Sequence, residues 1–280
     1  MIRKYFLFKF SCVKIFMHFK RVVKWGLDMY QNQRIKDKIN ILGVNFDNTT
    51  MLEMVENIKQ FISSNTDDNL FIVTANPEIV DYATEHEQYR NLINQADYVV
   101  PDGTGIVKAS KRLKQPLKRR VPGIELLEEC LKIAHVSHQR VYLLGSKNEI
   151  IETAEKKLQS QYPNIHFAHH HGYIHLEDET VIKRITSFNP DYIFVGMGFP
   201  KQEQWIQKHK DKFKHTVMMG VGGSFEVFSG SKKRAPQIFR KLNIEWVYRV
   251  LIDWKRIGRM ISIPKFMLKV AIQKYKMKSK

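Results

Sequence analysis

From residue 39 onward, short apolar runs alternate with segments in which apolar residues recur at helical spacing. The runs are rich in Ile, Val, Phe and Tyr, and in chain order they are INILGVNF, LFIVTAN, ADYVV, RVYLLG, IHFAHHH, DYIFVGM and TVMMGVGG. Helical patterns separate them at residues 51–63, 79–96, 123–137, 148–161, 177–188 and 201–212. Strands separated by single helices require crossover connections and therefore run parallel. The sequence predicts an α/β, Rossmann-like body, with a mostly parallel sheet and helices on both faces.

Charge separates this body from the two ends of the chain. The formal net charge of the 280 residues is +18, but residues 39–230 alone are slightly acidic. Residues 1–38 contain 10 Lys or Arg and two Asp, and residues 231–280 contain 15 Lys or Arg and two acidic residues. Beyond residue 230 the pattern is helical without strands. We therefore predict a basic amphipathic extension at 1–38, an α/β body at 39–230 and a basic helical appendage at 231–280.

The N-terminal extension has a second interpretation. It mixes Phe, Val and Ile with Lys and Arg, which is typical of an amphipathic segment on a membrane surface. However, Met29 precedes a polar start just ahead of the first predicted strand, so the extension is either such a segment or is not translated.

Amino-acid composition also indicates the cellular compartment of the protein. Cys12 and Cys130 are too few for a disulfide framework, which favours the cytosol. Every apolar run near the ends is interrupted by Lys or Arg before it reaches the roughly 20 residues that span a bilayer. We expect a cytoplasmic protein that lies on the anionic inner leaflet of the membrane without crossing it.

Polar residues follow the second predicted strand in the motif TANPE. Asn76 followed by Pro77 suits the start of a helix, so capping alone could account for this asparagine. Thr74 is harder to explain by capping, because it ends the strand on the side where an α/β fold binds its ligands.

A carboxylate follows the third predicted strand in the motif PDGTG. Asp102 is either the N-cap residue of a tight turn or a general base that takes the proton of an attacking hydroxyl group. The motif is not a dinucleotide-binding fingerprint, since Lys108 stands where the third glycine would be needed.

Glycines follow two later strands, at residues 196–198 and 220–223. A glycine corner that leads into a helix can hold a nucleotide, with the helix N-terminus facing phosphate, although a tight turn alone also requires glycine.

We predict no metal site. His169, His170 and His171 are consecutive on a predicted strand and alternate between its faces, the acidic run 177–179 is typical of a helix start, and no Asp-x-Asp element occurs.

The appendage forms two stripes when it is projected as a helix. Apolar side chains share one face, namely Trp246, Val247, Val250, Trp254, Ile257 and Ile261. Arg249, Arg256 and Arg259 share another face. Three arginines on one face suit a diphosphate, which arginine grips through paired donors, but they could also form an ordinary solvated face.

Six motifs together resemble the WecG/TagA/CpsF glycosyltransferases. They are TANPE, DGTG, R-x-PGIE, VGMGFPKQE, GVGGSFE and RAP ahead of EW-x-YR, and they span about residues 39–262. Within the family, the likeness is strongest to the branch that builds the linkage unit of wall teichoic acid. The resemblance implies inverting transfer of N-acetylmannosamine from UDP-N-acetylmannosamine to N-acetylglucosaminyl-diphospho-undecaprenol, without a metal or another cofactor.

The resemblance also implies roles for individual residues. Asp102 is expected to be the catalytic base, and Thr74 its neighbour that orients the sugar. Asn76 is expected to contact the donor or the acceptor, and Arg120 to face the phosphates of the donor. Gln202 and Glu203 are expected to line the nucleotide side. Contacts with the lipid diphosphate are expected from Arg249, Arg256 and Arg259.

Two other functions are compatible with parts of the sequence. The same acceptor could receive a different UDP sugar, because no single residue identifies the donor. A nucleic-acid-binding protein would explain the charge, but the basic ends contain no recognisable readout module, so we expect no nucleic-acid partner. The sequence does not predict an oligomeric state.

Overall fold

The computed structural model describes residues 38–236, residue 239 and residues 257–278, with side chains of the last segment described for 263–277. Most of the predicted N-terminal extension, residues 1–37, lies outside the described residues.

A six-stranded parallel sheet forms the centre of the described structure, with strand order β4-β3-β8-β7-β5-β6. A separate two-stranded sheet, β1-β2, precedes it. The strands are β1 Lys38–Ile41, β2 Val44–Asp47, β3 Leu70–Ala75, β4 Tyr98–Pro101, β5 Arg140–Gly145, β6 His166–His170, β7 Tyr192–Gly196 and β8 Val217–Gly220. The parallel sheet predicted from the sequence is confirmed.

Helices cover both faces of the large sheet. They are α1 Met51–Ser63, α2 Pro77–Glu85, α3 Glu87–Asn94, α4 Thr104–Arg112, α5 Gly123–Val136, α6 Asn148–Gln161, α7 Glu179–Phe188, α8 Lys201–His209, α9 Ser224–Phe228 and α10 Ile257–Lys278, with a 3₁₀ turn at Lys210–Lys212. Buried residues of α2, α3, α4, α7, α8 and α10 form one apolar cluster, and those of α1, α5, α6 and α9 form a second. In β7, Ile193 belongs to the first cluster and Phe194 to the second, because neighbouring strand residues point to opposite faces.

Two predicted elements are divided in the structure. The run INILGVNF forms β1 and β2, which are joined by a turn at Leu42 and Gly43. Both turn residues have positive φ, 54° and 88°, the geometry of tight hairpin turns. The predicted helix at 79–96 is two helices, since His86 has the non-helical φ and ψ of −125° and 89°. The spacing of apolar residues continues across His86, because the buried residues of both helices face the same core, so the break between the two helices cannot be detected from that spacing.

The C-terminal helix α10 packs against the body. Phe266 and Val270 are fully buried in the first apolar cluster, beside residues of α2. Lys269 pairs with Asp81 at 2.6 Å and with Glu85 at 3.1 Å, both on α2. Residues 257–278 are therefore helical, as the sequence predicts, and the middle turns of this helix contribute to the same core as the sheet.

Candidate active site

The carboxyl ends of β3 and β4 bring the first two motifs together. Ala75 and Pro101 are partners in the strand register, and the amide of Asp102 donates to the carbonyl of Ala75 at 2.9 Å. Pro77 packs on the helix that follows Asp102, because a Cβ on Gly105 would lie 2.6 Å from Pro77 Cγ. A glycine at position 105 therefore permits contact between the TANPE and DGTG motifs.

Asp102 does not cap the helix that follows it. Gly103, with a φ of 112°, occupies the N-cap position of α4. The capping interpretation of Asp102 is therefore wrong. Its half-buried carboxylate lies at the carboxyl edge of the sheet, where α/β folds place their catalytic groups.

Thr74 lies between the end of β8 and the start of α5. Its hydroxyl group donates to the carbonyl of Gly220 at 3.2 Å, and the side chain is 9% exposed. A Cβ on Gly123 would lie 2.9 Å from Thr74 Oγ1. Thr74 thus connects the R-x-PGIE motif, which contains Gly123, with the glycine loop after β8.

Asn76 caps α2, as one of its two interpretations required. Its Oδ1 accepts a hydrogen bond from the amide of Ile79 at 3.0 Å. The cap uses only the side-chain oxygen of Asn76. Capping and substrate contact through the side-chain nitrogen are therefore compatible roles for the same residue.

Arg120 lies in the connection from α4 to α5, at the same edge as Asp102. The amide of the next residue, Val121, donates to the carbonyl of Pro101 at 2.8 Å, so the backbone at Arg120 is anchored to the end of β4. The arginine side chain is half-buried. The fold therefore brings Arg120, Asp102, Thr74 and Asn76 from three motifs to neighbouring strand ends.

Glycines at the ends of the central strands permit close packing of the site floor. A Cβ on Gly145 would lie 2.4 Å from the carbonyl oxygen of Gly196, and a Cβ on Gly196 would lie 2.6 Å from the ring of Phe225. These contacts explain the glycines at β5 and β7 without a ligand.

Gln202 and Glu203 lie in the first turn of α8, beneath the loop that follows β8. They are 4% and 1% exposed, and Gln202 Nε2 donates to Glu203 Oε1 at 2.7 Å. Gln202 Oε1 accepts from the amide of Gly222 at 3.0 Å. The structure therefore brings both residues to the glycine loop, but the carboxylate of Glu203 contacts Gln202 within the protein interior.

Glu226 was not singled out from the sequence, although it belongs to the GVGGSFE motif. Its Oε1 accepts from the hydroxyl group of Ser146 at 3.3 Å, and its Oε2 is buried without a hydrogen-bond partner in the described part of the chain. Ser146 follows β5 with a φ of 56°. A carboxylate and a hydroxyl group at this edge can bind sugar hydroxyl groups, and the signal was the motif's final glutamate.

Two side chains of the histidine run contact other protein groups. His169 Nδ1 pairs with Glu155, and His170 Nδ1 lies 2.9 Å from the carbonyl of His171. No group of three or more His, Cys, Asp or Glu residues within 38–236 and the described part of α10 is arranged to hold a metal ion. The acidic run begins α7 as expected, since Asp178 accepts from the amides of Thr180 and Val181.

Comparison with known proteins identifies the family. The model of the glycosyl transferase WecG/TagA/CpsF family matches residues 39–280. The chain belongs to this family. The resemblance drawn from the six motifs is thereby confirmed.

Individual members of the WecG/TagA/CpsF family are similar over nearly their whole length. Two are proteins of Staphylococcus aureus, strains NCTC 8325 / PS 47 and COL, each 71% identical over 241 residues. A third, from strain MRSA252, is 70% identical over 241 residues. The aligned residues are 86% of this chain and 95% of each relative. All three are named N-acetylglucosaminyldiphosphoundecaprenol N-acetyl-beta-D-mannosaminyltransferase.

The family match includes the C-terminal segment that carries the predicted arginine stripe. Arg249 and Arg256 lie outside the described residues. Arg259 lies in the first turn of α10, in a stretch whose side chains are not described. No described helix is long and apolar enough to cross a membrane.

Proposed function

We propose that this glycosyltransferase moves N-acetylmannosamine from UDP-N-acetylmannosamine to N-acetylglucosaminyl-diphospho-undecaprenol, in the synthesis of the wall teichoic acid linkage unit. The observation that carries this function is 71% identity over 95% of a transferase with that name.

The chemistry requires a base at the acceptor. The acceptor hydroxyl oxygen attacks the anomeric carbon of N-acetylmannosamine, the bond from that carbon to the diphosphate of UDP breaks, and the hydroxyl proton leaves. Attack opposite the departing UDP inverts the anomeric centre. We propose that Asp102 takes the proton, which is supported by its half-buried position at the carboxyl edge of the sheet.

The neighbouring polar groups can hold the donor. Thr74 lies near the end of β3 and Asn76 follows that strand, which pairs with β4, the strand that ends just before Asp102. In this proposal both residues contact the same sugar. Arg120, anchored at the end of β4, supplies a permanent positive charge that can stabilise the departing diphosphate. Gln202 and the glycine loop complete the nucleotide side in this proposal.

The lipid acceptor places the reaction at a membrane. We infer that the protein works on the cytoplasmic face of the plasma membrane, where the basic appendage meets anionic lipid and Arg249, Arg256 and Arg259 meet the acceptor diphosphate. The proposal is supported by the 15 Lys or Arg residues of 231–280 and by the chemistry of the acceptor.

The function is tested by turnover with a short-chain lipid-linked N-acetylglucosamine and a panel of UDP sugars. We expect product with UDP-N-acetylmannosamine, identified by mass, and much slower product formation with UDP-glucose or UDP-N-acetylglucosamine. Faster turnover of any other donor would contradict the proposed donor, while absence of turnover with all donors would contradict the reaction itself.

A further inference from the structure

The loop of residues 220–223, which connects β8 to α9, is held from two sides. Thr74 holds it from β3 through the carbonyl of Gly220, and Gln202 holds it from α8 through the amide of Gly222. Gly222 has a φ of 50°, a conformation that glycine adopts easily and other residues rarely adopt. The position of this loop therefore depends on the orientation of the Gln202 amide.

An amide side chain has two ends of similar shape, and only its partners decide which end points where. Oε1 of Gln202 must face Gly222 to accept its N–H, and Nε2 must then have an acceptor on the other side. Glu203 supplies that acceptor at 2.7 Å. Because an ionised carboxylate can only accept hydrogen bonds, it excludes the opposite orientation of the amide.

The surroundings leave little room for any other arrangement. A Cβ on Gly220 would lie 2.6 Å from Gln202 Nε2 and 3.0 Å from Glu203 Oε1. Both side chains are almost completely buried. The end of β8 thus packs directly on the hydrogen bond between Gln202 and Glu203.

We propose that Glu203 is a positioning residue of the transferase: its carboxylate orients the Gln202 amide, which holds the loop of residues 220–223 in the conformation that receives the donor. The inference rests on the proposed function for the identity of the donor. It assigns Glu203 a role through Gln202, without contact with the substrate.

The ionisation of Glu203 makes this role measurable. Burial raises the pKa of Glu203 to about 7, against the lowering effects of the Gln202 hydrogen bond, its own backbone amide and Tyr89 on α3. The Tyr89 hydroxyl group lies close enough to Glu203 to lower this pKa. On the side of β8, the backbone at Gly220 lies against the Glu203 carboxylate. Once protonated, the carboxyl group can donate, and it no longer dictates the amide orientation.

The first experiment measures kcat/KM against pH for the full-length protein and for Glu203→Gln. For the wild type we expect activity to rise with pH through about 7 as Glu203 ionises. Glu203→Gln should lose this pH dependence and retain about one tenth to one hundredth of the wild-type kcat/KM at pH 8, the effect expected for loss of one charge-assisted hydrogen bond.

Tyr89→Phe provides a second, directional readout. Tyr89 lowers the pKa of Glu203, so removing its hydroxyl group should move the rise in activity to higher pH. If Glu203 only stabilised the fold, Tyr89→Phe would not shift the pH dependence of activity. Glu177→Gln is the matched control. Glu177 is a surface carboxylate that pairs with Lys208, and Lys208 lies on α8, the helix that also contains Glu203. Its pH profile should match the wild type.

Hydrogen exchange of the Gly222 amide tests the inference independently of turnover. We expect faster exchange of the Gly222 amide in Glu203→Gln, with exchange of the amides in β8 unchanged. A folded Glu203→Gln variant with wild-type kcat/KM, an unchanged pH profile and unchanged Gly222 exchange would overturn the role of Glu203. Absence of turnover in the wild type would instead contradict the proposed function, and the exchange comparison would still decide the inference.

Discussion

At the scale of single residues, two carboxylates of the site have contrasting surroundings. Asp102 is half-buried at the edge of the sheet, whereas Glu203 is 1% exposed beneath the glycine loop. The first is accessible to a substrate hydroxyl group. The second is enclosed by protein groups, and burial favours its neutral form. Their environments therefore favour proton transfer at Asp102 and a supporting role at Glu203.

Asp102→Asn should abolish most turnover while leaving donor binding intact. Asparagine preserves the shape of the side chain but cannot take the acceptor proton. We expect kcat to fall by about 10²- to 10⁴-fold, the usual contribution of a general base. Steady-state kinetics and calorimetric titration with UDP would measure the two effects. Near-normal turnover in the variant would exclude Asp102 as the base.

Burial of Glu203 should also make folding stability depend on pH. Its pKa is raised from 4.5 to about 7, so between these values the folded state binds a proton that the unfolded state has released. Stability contributed by this group is therefore present at low pH and is lost as pH rises through about 7. We expect the Tm of Glu203→Gln, relative to that of the wild type, to be higher at pH 8 than at pH 5. A constant difference would contradict the raised pKa.

At the scale of elements, strand and helix positions were largely predictable because the sheet is buried on both faces. β5, Arg140–Gly145, coincides with its predicted run. Contacts between motifs were not predictable, since the 2.6 Å approach at Gly105 depends on the parallel pairing of β3 with β4. Likewise, Glu203 was predicted to contact the donor side, but its burial and its bond to Gln202 depend on how α8 packs against β8.

Gly105→Ala tests whether contact between α2 and α4 positions the catalytic edge. The added methyl group would lie 2.6 Å from Pro77 Cγ, so one of the two helices must move. We expect a stability loss of about 1–3 kcal/mol, as for other overpacked sites, together with reduced kcat. Lys108→Ala, at an exposed position of α4, is the control and should change neither. Chemical denaturation and steady-state kinetics provide the comparison.

At the scale of the whole molecule, the position of α10 bears on the predicted boundary near residue 230. Charge and periodicity assign everything beyond that residue to an appendage. Phe266 and Val270 are nevertheless fully buried in the cluster that covers one face of the sheet. Lys265 and Lys269 add ion pairs to α2, although exposed pairs contribute little to stability. The last helix is therefore expected to unfold together with the body.

Phe266→Ala measures this coupling. Loss of a fully buried aromatic side chain from a shared core should cost about 3–5 kcal/mol and should lower the midpoint of the single unfolding transition. Leu268→Ala is the matched control, since Leu268 is two residues away on the same helix and 64% exposed. Urea denaturation followed by tryptophan fluorescence, which includes the buried Trp205 of the body, would report the change. An unchanged midpoint would mean that α10 is an independent appendage and that the boundary predicted from charge is also a boundary of folding.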